Sequence, residues 1–119
     1  MAKIDSFSFG SIVVDGKKYR KDLIFLPDGI VKQRKGGFWM FGDHNIKREE
    51  IEELFRAGAQ VAIVGIGTSS RASVSDEARK YVEETNLELS VFPSRDAVEK
   101  INQLVDQGHK VAALIHITC

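Results

Sequence analysis

The chain is short of cysteine: Cys119 is the only one in 119 residues. A lone thiol excludes an internal disulfide, so no cross-linked scaffold is built here and the redox surroundings stay unrestricted. Neither charge sign is in excess, with 17 basic against 17 acidic side chains. Nothing therefore draws the whole molecule toward nucleic acid or an anionic membrane, although a local patch still could. No apolar run approaches the roughly eighteen residues of a membrane span, and the opening MAKIDSFSFG lacks the apolar stretch of a signal peptide. Internal repeats, low-complexity tracts and linker-like stretches are missing too. The expectation is one domain over 1–119, soluble and cytoplasmic.

What is present is the material of a core, since 43% of the residues are hydrophobic and the length suffices to bury them. The first third has strand chemistry, with β-branched and aromatic runs interrupted at Asp15-Gly16 and Asp28-Gly29. Asp-Gly tolerates the positive φ of tight hairpin turns, and Pro27 presets the bend before the second, so two linked hairpins are expected. Gly36-Gly37 then precedes the apolar cluster Phe38, Trp39, Met40 and Phe41, for which core packing is the commoner role. From Ile46 to Ala57 the period becomes helical, with Ile51, Leu54 and Phe55 on one face and Gly58 as the stop. Its start stays open, because Asn45 has the chemistry of a cap while Lys47, which would let Ile46 staple onto Ile51, does not.

VAIVGI, residues 61–66, reads as a strand buried on both faces, which calls for helices covering a sheet. A helix from Ser75 to Thr85, the strand LELSVF, a helix capped by Ser94 and stopped by Gly108, and the strand KVAALIHIT complete the chain. The order implies a central mixed sheet with about three helices on its faces and a small antiparallel β layer from the N-terminal hairpins. The class is α/β, with α+β left open.

The stretch AIVGIGTSSR invites a nucleotide-loop reading, but the third glycine of G-x-G-x-x-G is replaced by Ser70 and the next helix starts several residues later. A phosphate-loop NTPase is excluded, since G-x-x-x-x-G-K-[ST] occurs nowhere. Strand C-termini are nevertheless where clefts form in open sheets. If the two strands are neighbours, Gly65, Gly67, Thr68, Ser69, Ser70 and Arg71 meet Ser94, Arg95 and a helix N-terminus, a candidate anion cleft. The alternative is a tight structural turn that needs glycine for close approach.

No G-x-S-x-G elbow supports Ser69 or Ser70 with His44 as a nucleophile and base. His116 and Cys119 lie three apart on one strand and so point to opposite faces, which argues against a metal pair. No metal or cofactor is therefore expected. Lys17, Lys18, Arg20 and Lys21 with Lys32, Arg34 and Lys35 could make a basic face with Tyr19 to stack, but surface solubility is the commoner reason for such charges and nucleic acid is not favoured. Trp39 and His44 are the candidates for a partner surface.

FSFGSIVVDGKKYRKDLIFLPDGIV, Trp39, GDH before an acidic helix, VAIVGIGTSS, FPSRDAVEKINQL and KVAALIHITC together resemble the adipogenesis-associated domain family, over nearly the whole chain. That family was first catalogued as a conserved domain of unknown function, and its relatives include a mitochondrial complex I assembly factor. The resemblance implies a three-layer fold and no established catalytic activity, with the better-understood members being assembly or interaction proteins. It marks Gly10, Asp22, Trp39, Gly65, Gly67, Pro93, Ala97 and Asn102 as the family's recurrent positions. The resulting expectation is a non-enzymatic interaction or assembly-type domain that meets a protein partner or a second copy. The alternative is a small-molecule enzyme or sensor that takes an anionic metabolite at the 65–71 and 93–95 loops.

Overall fold

The computed structural model describes residues 3–34, 45–68 and 72–118. Its centre is a five-stranded mixed sheet. β4 (Leu23–Phe25) and β5 (Val31–Gln33) form an antiparallel hairpin on one side, while β7 (Val61–Ile66), β9 (Leu89–Phe92) and β10 (Val111–His116) run parallel. The spatial order is β5-β4-β10-β7-β9, so the strand latest in sequence occupies the middle. A separate antiparallel sheet consists of β1 (Ile4–Ser8), β2 (Ser11–Val14) and β3 (Lys17–Tyr19), and β6 (Asn45–Ile46) pairs in parallel with β8 (Ser73–Val74). The helices are α1 (Arg48–Arg56), α2 (Asp76–Thr85) and α3 (Ser94–Asp106).

Strand periodicity divides the core in two. Leu23, Phe25, Ile63, Ala113 and Ile115 face α3 and the β1–β2 hairpin, where Ile4, Ile12, Ala97 and Ile101 meet them. Ile24, Ala62, Val64, Ala112 and Leu114 face the other way, onto Ile51 and Leu54 of α1 and Ala78 of α2. Every residue of β10 is buried, as a strand covered on both faces requires. The result is three layers: α1 with α2, the five-stranded sheet, and α3 with the small sheet.

Both Asp-Gly turns occur where the sequence puts them. Asp15 and Gly16 take φ of 48° and 81° between β2 and β3, and Gly29 takes 93° between β4 and β5. The two hairpins do not, however, stay together. The first, with β1, builds the extra layer, whereas the second supplies an edge of the central sheet, because Leu23 and Phe25 are apolar enough to pair beside β10.

One open boundary is fixed, one short strand is added and one expected cap is corrected. The start of α1, open in the sequence, falls at Arg48, because Ile46 is fully buried and pairs with Val74 in a short parallel bridge. Its N-cap is Lys47, whose backbone N–H is accepted by the Glu50 carboxylate, so the Glu at the third helical position compensates for a cap residue that offers no acceptor. Between VAIVGI and the helix at Ser75, where the sequence pattern assigns no element, lies β8. Finally, Ser94 does not cap α3: Pro93 is the N-cap and Ser94 is the first helical residue, its hydroxyl turned elsewhere. Ser75, by contrast, caps α2 by accepting from the Ala78 N–H at 3.1 Å.

Candidate functional site

The C-terminal ends of β7 and β10, the start of β4 and the start of α3 converge at one edge of the central sheet. β7 and β9 are neighbours, with Gly65 opposite Phe92, which brings residues 65–68 beside 93–94. The Ser94 amide donates to the Gly67 carbonyl at 3.0 Å, and the Gly67 amide donates to Ser94 Oγ at 2.8 Å. Ser94 Oγ in turn donates to the His116 carbonyl at 2.5 Å. This hydroxyl, completely buried, thus ties the ends of β7 and β10 to α3. Gly65 permits the approach: a Cβ there would lie 2.8 Å from Ser94 Oγ and 3.1 Å from Ser94 Cα. Gly67 has φ of 101°, a conformation that suits glycine.

Thr68 is half-buried, and its amide and hydroxyl both donate to the Thr118 carbonyl, at 2.8 and 3.3 Å. Arg95 is exposed at the start of α3. Ser69, Ser70, Arg71, Trp39, His44 and Cys119 lie outside the described residues.

The same edge holds a charged cluster that the sequence reading did not assemble. Asp22, just before β4, is 9% exposed; Arg34, just after β5, is 5% exposed; His116 ends β10 and is 2% exposed. Burial of ions is tolerable only with partners, and here they are supplied. Arg34 reaches Asp22 Oδ2 through Nη1 at 3.1 Å and holds Glu50 of α1 by two bonds, Nε to Oε2 at 2.5 Å and Nη2 to Oε1 at 2.9 Å. Its Nη2 also donates to the Asn45 carbonyl at 3.0 Å, joining β6 to the cluster. Asp22 Oδ2 accepts from His116 Nδ1 at 2.8 Å, and Oδ1 accepts from the Ile117 amide at 2.9 Å.

Burial by itself would raise the Asp22 carboxyl. The hydrogen bond from the His116 side chain, the Ile117 amide and the Arg34 guanidinium outweigh it and hold this group below the usual carboxylate range. Burial likewise opposes the Arg34 charge, and Glu50 followed by Asp22 overcomes it, so the guanidinium is held charged more firmly than in water. With Asp22 ionised and able only to accept, His116 carries a proton on Nδ1, leaving Nε2 facing Thr118 Oγ1 at 3.2 Å.

Most of the described positions marked by family resemblance gather around this edge. The Gly10 amide donates to the Ile117 carbonyl at 2.7 Å, Asp22 is the hub, and Gly65, Gly67, Pro93 and Ala97 form the junction with α3. Asn102 acts one helical stretch further on. Its carboxamide accepts from the Ile4 amide at 3.2 Å and donates to the Ile4 carbonyl at 2.9 Å, standing in for a neighbouring strand along β1.

The basic face is smaller than the sequence suggested. Arg34 is buried in the cluster, Lys32 is paired with Glu53, and Tyr19 packs against the core with the Lys17 ammonium 5.1 Å from its ring centre. A groove of about 360 Å³ lies elsewhere, where Lys47 and Arg48 of α1 face Ser75, Asp76 and Glu77 of α2. Glu49 lines it too, so three acidic side chains stand against two basic ones. Among the described residues no group of three or more His, Cys, Asp and Glu side chains is placed to hold a metal ion, and no helix is long and apolar enough to cross a membrane.

A mixed sheet between two helices on one face and a helix with a small β layer on the other, its strand ends locked by a buried charge cluster, defines the class: an α/β domain with a closed polar junction. The chain belongs to the family described as "Protein of unknown function (DUF498/DUF598)", whose model matches residues 4–116. Among solved structures it is similar to the conserved hypothetical protein PH1505 from Pyrococcus horikoshii OT3, at 28% identity and a TM-score of 0.84, covering 98% of this chain and 99% of that one. It is similar to the protein titled MT938 at 26% identity and 0.82, with both chains fully covered. A Bordetella pertussis protein described as a Mth938-like domain shares the fold at 13% identity and 0.67, over 98% of this chain and 85% of that one.

Proposed function

We propose that this protein is an interaction or assembly-type domain whose working surface is the C-terminal edge of the central sheet. The observation that carries this reading is Phe9. It is 62% exposed, on a turn that the Gly10–Ile117 hydrogen bond fixes against the end of β10. A large aromatic held in solvent by a rigid turn, beside a junction that is itself closed, suits a contact residue better than a core residue. The likeness to the adipogenesis-associated family, with its assembly factor of mitochondrial complex I, supports the same reading.

A photo-crosslinking side chain in place of Phe9, used in the source cell, is expected to give discrete protein adducts or a crosslinked second copy. The same group in place of Glu83, exposed on α2, should give none. Equal or absent crosslinking at the two positions would overturn the proposal.

A second reading, an anionic metabolite bound where the 65–71 and 93–95 loops meet, is favoured by the Ser94–Gly67 contacts that join those loops. The Ser94 hydroxyl is already engaged, so Arg95 and the first amides of α3 would meet the anion. A thermal-shift screen of anionic metabolites against the native protein and Arg95→Ala tests it. A ligand-dependent rise lost in the variant supports this reading, and a flat screen removes it.

A further inference from the structure

We propose that Thr118 is a nucleophile activated by His116 and Asp22, and that it accepts acyl groups from small uncharged esters or thioesters. Three groups stand in line: the Asp22 carboxylate 2.8 Å from His116 Nδ1, and His116 Nε2 3.2 Å from Thr118 Oγ1. This is the sequence of orienting carboxylate, base and hydroxyl that nucleophilic catalysis requires, and it arises from strand geometry. His116 and Thr118 are two apart in an extended stretch and so share a face, while Asp22 enters from the antiparallel neighbour β4.

The tautomer is set correctly for the task. The ionised Asp22 accepts the hydrogen bond from Nδ1–H, which keeps the proton on that nitrogen and turns the Nε2 lone pair toward the Thr118 hydroxyl. Glu50 binds Arg34 through both carboxylate oxygens and offsets its charge, so Asp22 remains available to an imidazolium. The segment carrying the hydroxyl is held on both sides. The Ile117 amide is bound to Asp22, the Ile117 carbonyl to Gly10, and the Thr118 carbonyl to Thr68. Thr118 is half-buried, whereas His116 is sealed beneath it. An incoming electrophile therefore meets the hydroxyl and not the ring.

In the acyl step Thr118 Oγ1 forms a bond to the carbonyl carbon as its proton passes to His116 Nε2. Collapse breaks the bond to the alkoxide or thiolate leaving group, which departs with that proton. Water activated by the same nitrogen then cleaves the Thr118 ester, releasing the carboxylic acid and restoring the hydroxyl. The carboxylates of Asp22 and Glu50 disfavour anionic phosphoesters here, which is why the substrate class is an uncharged acyl donor.

The test uses two probes, a neutral fluorophosphonate and p-nitrophenyl acetate, with intact mass and peptide mapping on the native protein, Thr118→Val and Thr118→Ser. The fluorophosphonate loses fluoride and leaves a stable phosphonyl group on the nucleophile. An adduct mapped to Thr118, kept in Thr118→Ser and reduced about a hundredfold or more in Thr118→Val with an unchanged melting temperature, is the expected result. A folded native protein that takes neither probe at Thr118, or a Thr118→Val variant labelled as fast as native, would overturn it. The crosslinking experiment at Phe9 reads a different property, so either idea can fail alone.

Discussion

The Asp22 carboxyl links the stability of the fold to pH on the acid side. Its pKa is depressed in the folded state, so its contribution is complete above the ordinary carboxylate value of 3.8 and is lost as pH falls through the lower folded value. Asp22→Asn should cost about 3–5 kcal/mol at pH 7, because it leaves Arg34 and the Ile117 amide short of their charged partner. Urea unfolding at pH 7 and at pH 3 checks this: the gap between native and variant should narrow at the lower pH, and a gap that does not change would contradict it. Gly65→Ala is expected to cost about 1–3 kcal/mol, since the new methyl meets a Ser94 hydroxyl that cannot move without breaking its bonds to Gly67 and His116. The same two residues mark the limit of sequence reading. Gly65 was legible as a close-approach glycine, because an apolar strand ending in glycine has few other uses. Ser94 looked like a cap because serine before a helix normally is one, and its actual partners are 27 and 22 residues away. His116 drew notice only as a poor metal ligand. An isolated His inside VAALIHIT, set against an Asp directly before LIF, was the available signal that two polar groups had to be buried together.

The strands that make the central sheet and the three described helices were foreseen as elements because each carries its own period, alternation or continuous apolarity for strands and three-and-four spacing for helices, although β4 and β5 were expected in the small extra layer. The two-residue strands β6 and β8 were not, since a pair of residues has no period. β1 is the element whose stability is least local. It pairs with β2 on one side, and on the other the Asn102 side chain takes both backbone groups of Ile4. Asn102→Ala should therefore lower stability by about 1–2 kcal/mol, and hydrogen exchange should localise the effect. The Ile4 amide is expected to lose protection well beyond the amides of β7; uniform loss over the molecule would show that the asparagine does not anchor this strand.

β4, β7, β9 and β10 each feed both cores, so the two sides of the sheet should melt together. The tyrosines offer a probe on each side, Tyr19 packed against the α3 core and Tyr81 against the core of α1 and α2. Thermal unfolding followed through the NMR ring signals of these two residues is expected to give coincident transitions, and separated ones would mean the layers come apart independently. The placement of β10 also bears on how the protein is made. On the ribosome, β4 and β7 emerge long before the strand that must sit between them, so their facing edges wait unpaired until Val111–His116 leaves the exit tunnel. Until then the incomplete chain offers two open strand edges to chaperones, or to other nascent copies on the same message.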